Sequence, residues 1–225
     1  DLSYGLTFII IALISFFRST QNLMHWLLLI MICLWGARLA SYLLVRIMKI
    51  KKDSRFDYIR GNFWEFGKFW LLQAVAVWII TLPTVVAFAK TNIKLICVVS
   101  LMGVAIWLIG LLIKTAADWQ KFKFKNDPKN KDRWTDVGLW QYARHTNYFG
   151  EMLCWWGVFL FCVPVLRGWE FASIIGPVFI TSLLLFVSEV PPLEKRYAKK
   201  YSKNKEYREY VKRTRLLVPV RKILT

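Results

Sequence analysis

The chain has 225 residues, 56% of them hydrophobic, with 12 Trp, 16 Phe and a formal net charge of +18. Apolar content of that size, set in long unbroken blocks, excludes an ordinary soluble domain. The placement of the charge excludes nucleic acid as its partner: 27 of the 32 Lys and Arg fall in 46–68, 114–144 and 195–222, segments that would share one side of a membrane-crossing chain.

A bilayer core of roughly 30 Å takes about 20 apolar residues as a helix. Six blocks approach that length: 2–17, 23–45, 69–89, 94–113, 149–166 and 171–187. The fold class expected is all-α, a polytopic transmembrane helical bundle with six visible spans in one integral membrane domain over 1–225. The first block is short and the chain opens on Asp1 instead of Met, so a seventh span is expected upstream. Blocks 2–17 and 23–45 read as a helical hairpin turned by the polar residues 18–22. The second block carries Arg38, Tyr42 and Arg46 on one face, at i, i+4 and i+8. Arg46 also fits snorkelling to headgroups, and Tyr42 an interfacial belt. Arg38 lies deeper, where an arginine more often faces the bundle interior or a wet cavity than lipid.

The loop 47–67 mixes charge with aromatics, and a helical pattern at 55–60 is expected to lie along the membrane surface. Block 69–89 contains Pro83, expected to kink it. Block 94–113 sets Gly103 and Gly110 on one face, a spacing that suits close helix packing. The last two blocks form a second hairpin, turned at 167–170. Beyond Glu189, Pro191 and Pro192, residues 193–213 read as one basic amphipathic helix punctuated by Tyr197, Tyr201, Tyr207 and Tyr210. Such a helix either lies on the cytoplasmic leaflet or roofs a nucleotide, and both readings stay open. Only Arg18, Lys90, Lys94 and Arg167 fall in the opposite-side connections, so the two long loops and the tail are expected in the cytoplasm.

Several chemistries are excluded at this level. Cys33, Cys97, Cys154 and Cys162 sit in apolar blocks with no CxxC pair and read as small buried hydrophobes. His25 and His145 are the two histidines and are expected at opposite membrane faces, so no zinc cluster or bis-His haem is expected and no metal site is assigned. His145 reads as a loop or cap residue. Neither GxGxxG nor GxxxxGK[ST] occurs, and no Ser-His-Asp set is present.

The chemistry concentrates in 114–157, KTAADWQKFKFKNDPKNKDRWTDVGLWQYARHTNYFGEMLCWWG. Lys114 and Asp118 are one helical turn apart, with Lys121 one turn further; Asn147 and Glu151 repeat the i, i+4 spacing. If the two helices are neighbours, their polar faces converge. Asp118 and Glu151 would then accept hydrogen bonds from ribose hydroxyls or a carboxamide, and Asn147 would both give and accept. Lys121, Lys125 and Arg133 would meet phosphates, and Trp119, Trp140, Tyr142 and Tyr148 offer faces for flat rings. Taken alone, the Lys114–Asp118–Lys121 ladder equally fits an ordinary interfacial ion network.

The segments ADWQKFKFK, GLWQYARHTNYFGE and CWWG resemble the steroid 5α-reductase-like family, in particular its bacterial branch known as a domain of unknown function. The resemblance covers nearly the whole chain, and a weaker echo runs from Glu194 to Pro219. It implies a bundle of about seven helices that binds NADPH and reduces an activated carbon–carbon double bond of a lipid. Carried over, the dinucleotide contacts fall on Asp118, Lys125, Arg133, Asn147, Glu151 and Tyr197. Lys114 stands where the steroid enzymes have asparagine, and Lys125 where they have arginine. Tyr42 matches the tyrosine that polarises the substrate carbonyl. The early glutamate of those enzymes has no counterpart, since no acid lies between Asp1 and Asp53, and His145-Thr146 replaces the usual His-Pro.

The expectation is therefore a bacterial inner-membrane, NADPH-dependent reductase. Residues 1–113 would hold the lipid-like substrate, with Tyr42 and Arg38 catalytic. Residues 114–225 would hold the cofactor through Lys114, Asp118, Lys121, Lys125, Arg133, Asn147, Glu151 and Tyr197. No obligatory protein partner is implied. The alternatives are an S-adenosylmethionine-dependent methyltransferase resembling the isoprenylcysteine carboxyl methyltransferases, and a non-catalytic lipid- or sterol-binding protein.

Overall fold

The computed structural model describes residues 2–50, 62–91 and 97–220. The surface helix expected at 55–60, the beginning of the block expected at 94–113 and the side chain of Arg46 lie outside them. Among the described residues the elements are helices and turns, and one parallel backbone bridge joins Ala143 and Arg215. Five helical stretches are long and apolar enough to cross a membrane: Leu23–Val45, Phe63–Phe88, Val98–Asn126, Thr146–Val165 and Gly168–Tyr201. A shorter apolar helix covers Tyr4–Phe17. The fold is the all-α, polytopic membrane class that the apolar blocks imply.

The chain divides into two compact units, one of Asp1–Val104 with Val158–Phe179, the other of Ala105–Gly157 with Ile180–Thr225. In the first, α1 (Leu2–Phe17) and α2 (Leu23–Ile50) form the expected hairpin. Helix α1 stops where the Ser19 hydroxyl donates to the Phe16 carbonyl, and Gln21 turns the chain at φ 51°. Asn22 then accepts from the His25 amide and caps α2. The two helices close tightly: a Cβ on Gly36 would lie 2.7 Å from the Ile9 side chain. Phe8 packs edge-on against Trp35, both fully buried.

Helix α3 (Phe63–Phe88) begins six residues before the apolar block that predicts it. The reason is local: the Asn62 side chain accepts from the Trp64 and Glu65 amides, an N-cap that lets the mixed stretch FWEFGK join the helix. Buried His25 meets the Ala87 carbonyl at 3.1 Å, tying α2 to α3. At the turn 167–170, Glu170 accepts from the Arg167 amide and pairs with Lys90 at 2.5 Å.

The second unit is built on α4 (Val98–Asn126) and α5 (Thr146–Cys162), which enter it from residues 105 and 157 inward. Helix α6 (Ile175–Ser182) passes into a π-helical turn, Leu183–Ser188, and breaks at Glu189. The basic tail then forms two helices where the sequence reads as one: α7 (Val190–Tyr201) and α8 (Lys205–Arg213). Pro191 and Pro192 occupy the first turn of α7, where a missing N–H costs nothing. Asn204, extended at φ −83° and ψ 118°, accepts from the Tyr207 amide and restarts the helix. An amphipathic pattern of basic residues and tyrosines is blind to an N-cap of this kind, which is why 193–213 reads as continuous.

Candidate functional site

Helix α4 continues well past its apolar block, and its last turns carry Lys114, Asp118, Lys121 and Lys125. Helix α5 opens with Thr146, whose hydroxyl donates to the Ala143 carbonyl at 3.2 Å, and presents Asn147 and Glu151 within its first two turns. What brings the two polar faces together is a glycine pair. A Cβ on Gly150 would lie 2.7 Å from the Gly110 carbonyl oxygen and 2.7 Å from the Lys114 nitrogen; one on Gly110 would lie 2.7 Å from the Gly150 oxygen. The backbones of α4 and α5 touch here, the close approach that small residues permit between membrane helices.

The contact closes a polar cluster. Lys114 Nζ lies 2.8 Å from Glu151 Oε2 and 3.9 Å from Asp118 Oδ2. Asn147 Nδ2 donates to Asp118 Oδ1 at 3.2 Å, and the Trp155 indole N–H donates to Glu151 Oε1 at 3.1 Å. Lys114, Asp118, Asn147 and Glu151 are each at most 7% exposed. The Lys114 ammonium thus faces both carboxylates in a buried place, where ionic groups are tolerated when paired and hydrogen-bonded. Asn147 Oδ1, equally buried, accepts no hydrogen bond from the described residues, and an unused buried acceptor of this kind is costly unless something donates to it. A ligand with a hydroxyl or amide donor fits this acceptor.

The remaining predicted residues lie around the cluster in different states. Lys121 sits 5.0 Å over the Trp140 ring, and Trp140 itself is buried with its indole N–H on the Ala117 carbonyl, so this ring is structural. Lys125 donates to the Arg133 carbonyl, and the Arg133 guanidinium lies 3.7 Å from Asp136. Tyr197 is half-buried, tilted against Tyr201. With Lys121, Trp140, Arg144 and Tyr210 it lines a small cleft. Trp119 is exposed and stacks on Phe122. Arg38 and Tyr42 belong to the first unit, the guanidinium 5.6 Å over the phenol ring.

Further contacts hold the start of α5, and the sequence alone did not single them out. His145 Nε2 and Arg144 Nε meet the same Glu194 oxygen at 2.7 and 3.2 Å. Arg144 also donates to the Val211 and Thr214 carbonyls, while the Arg144 and His145 amides donate to the Arg215 and Leu216 carbonyls. Tyr148 donates to Glu189 at 2.5 Å. The tail is anchored by Trp134, packed among Tyr201, Tyr207 and Tyr210, with the Tyr210 hydroxyl donating to the Trp140 carbonyl. Burial in this cluster pushes the Tyr207 phenol up to about 12. The signal for Trp155 was present, one turn beyond Glu151. The signals for Glu189 and Glu194 were not, because their partners are 41 and 49 residues away.

A family profile described as "Protein of unknown function (DUF1295)" matches residues 1–214. The chain belongs to this family. The DUF1295 chain is also similar to two curated proteins with the same name, 3-oxo-5-alpha-steroid 4-dehydrogenase 1. It is 25% identical to the one from Rattus norvegicus over 119 residues, 53% of this chain and 40% of that protein. It is 35% identical to the one from Bos taurus over 72 residues, 32% of this chain and 28% of that protein. The matched parts thus span less than half the length of either relative. No solved structure gives a significant match to the DUF1295 chain. The kinship with steroid 5α-reductase-like proteins that the central motifs imply therefore holds at the level of family.

Proposed function

We propose that this DUF1295 protein is an NADPH-dependent reductase of a carbon–carbon double bond in a lipid-like, membrane-dissolved substrate. The observation that carries the reading is the buried Lys114–Asp118–Asn147–Glu151 cluster, whose open Asn147 Oδ1 acceptor suits a hydroxyl or carboxamide donor of a nicotinamide nucleotide. The similarity to proteins named as steroid dehydrogenases supports the reaction class.

When bound, NADPH supplies a hydride for the carbon β to a substrate carbonyl; the protein supplies orientation and charge. Asp118 and Glu151 accept from the cofactor's hydroxyls, Asn147 Oδ1 accepts from an amide or hydroxyl, and Lys114 holds both carboxylates in place. Lys121 and Lys125 face phosphates, and Tyr197 flanks them. Tyr42 donates to the substrate carbonyl oxygen as it gains charge, with the Arg38 cation over its ring supporting that role. Residues 1–113 hold the substrate and 114–225 the cofactor, with the basic loops and tail on the cytoplasmic side of a bacterial inner membrane.

The test is a titration of the purified protein with NADPH, NADP+ and S-adenosylmethionine, read by tryptophan quenching. NADPH should bind saturably, and Asn147→Ala or Glu151→Ala should weaken it by about 1–3 kcal/mol, the cost of removing a buried hydrogen-bond partner. Saturable binding of the methyl donor alone would assign the cluster to methyl transfer. Identical dissociation constants for wild type and both variants would remove these residues from the site.

A further inference from the structure

Helix α4 carries a polar group that the cofactor cluster does not use. Trp107 lies seven residues before Lys114, two helical turns and about 10 Å further into the apolar part of the helix. It stands on the face that meets α5. The Trp107 carbonyl accepts from Cys154 Sγ at 3.7 Å, and one turn on, a Cβ on Gly110 would lie 2.7 Å from the Cys154 nitrogen. Trp107 is only 4% exposed, yet its indole N–H meets no acceptor among the described residues.

An indole N–H can only donate. Inside a membrane span no bulk water takes the proton, and leaving such a donor unmet is costly. Phenylalanine would fill much of the same space without that cost. The donor therefore calls for an acceptor that arrives from elsewhere, and an uncharged one, because an ion at this depth carries its own desolvation penalty. A carbonyl oxygen has that chemistry: it accepts and does not need to donate.

A second buried group without a partner stands on the facing helix with the opposite need. Asn147 Oδ1 lacks a donor, and Asn147 lies seven residues, two turns, before Cys154 on α5. The helix pair thus offers an acceptor near its polar end and a donor two turns deeper. We infer that Trp107 is a binding residue whose indole N–H donates to the carbonyl oxygen of a molecule held beside α4 and α5. Two molecules of the proposed reaction carry such an oxygen, in the nicotinamide carboxamide and in the lipid substrate's carbonyl. The choice between them rests on the reductase reading above; the donor itself does not.

The test uses the full chain in dodecyl maltoside micelles, whose tails carry no carbonyl, with affinities taken from the concentration dependence of Tm. One ligand pair is trans-3-hexadecen-2-one, a ketone, against trans-2-hexadecene, which lacks the oxygen. The other is NADPH against 2′-phospho-ADP-ribose, which lacks the nicotinamide. Wild type should prefer the carbonyl member of at least one pair, and Trp107→Phe should shrink that preference about three- to tenfold, the scale of one neutral hydrogen bond. A loss in the first pair assigns the N–H to the substrate and a loss in the second to the cofactor; either supports the inference. Preferences equal in wild type and variant overturn it.

Trp107→benzothienylalanine puts sulfur where the N–H stands and keeps the bicyclic shape, so it serves even if the phenylalanine variant does not fold. It should reproduce the loss, and its Tm without ligand should match or exceed that of wild type. Retained preference would mean that the ring acts by shape, and a lower Tm that the N–H already has a partner in the fold; either overturns the inference. If NADPH does not bind wild type but the ketone preference is lost in the variants, the reductase reading fails and the donor site stands. If NADPH binds wild type and both variants alike and the ketone preference is unchanged, the donor site fails and the reductase reading stands.

Discussion

Gly150→Ala is expected to unfold the site. The added Cβ would lie 2.7 Å from two backbone atoms of α4, the Gly110 oxygen and the Lys114 nitrogen, and 2.9 Å from the Lys114 Cβ. Backbone in a helix cannot swing aside as a side-chain tip can, so α4 and α5 must separate. Overpacking of this kind costs about 1–3 kcal/mol, and separation also lengthens the Lys114–Glu151 contact. The expected outcome is a clear fall in Tm together with at least tenfold weaker NADPH binding. Gly67→Ala is the matched control: nothing lies within 4 Å of a Cβ there, and it sits in α3. Relieving a helical glycine should leave Tm unchanged or raise it, by up to about 1 kcal/mol in stability. If the two variants behave alike, the backbone contact is not what holds the polar faces together.

Lys114→Met should be as damaging for a different reason. The side chain is close to isosteric, so packing survives, but Asp118 and Glu151 lose the cation that both face in a place at most 7% exposed. Breaking a buried ion pair from one side costs about 3–5 kcal/mol, since the surviving charge stays buried. Chemical or thermal unfolding in detergent measures this directly. Adding Glu151→Gln in the same chain should recover a large part of the loss, because one of the two stranded charges is then gone. Were the double variant as unstable as the sum of the singles, the damage would come from lost packing and the charge account would be wrong.

Much of the polar cluster was legible because its signals are local. The spacing of Lys114 to Asp118 and of Asn147 to Glu151 depends on helix geometry alone, and Gly110 on α4 announced a close contact before its partner Gly150 was known. The apolar blocks gave the spans for the same reason. Boundaries were less legible where a single capping side chain decides them. Asn62 carries α3 upstream of its apolar block, and Asn204 splits the tail in two. The cations proposed to meet phosphates show the other kind of gap. Lys125 and Arg133 look alike as charges in a sequence, but the structure hands one to a carbonyl and the other to Asp136. Pairing across tens of residues, as in Tyr148 with Glu189 or Arg144 with Glu194, leaves no periodic trace at all.

The indole of Trp155 is tethered to the Glu151 carboxylate. Indole emission responds to the polarity and charge at its N–H, so anything that engages that carboxylate alters the brightness or colour of this fluorophore. The protein thus carries its own optical probe beside the acid on which the cofactor proposal turns. Its signal can be isolated from the other 11 tryptophans by subtracting the spectrum of Trp155→Phe.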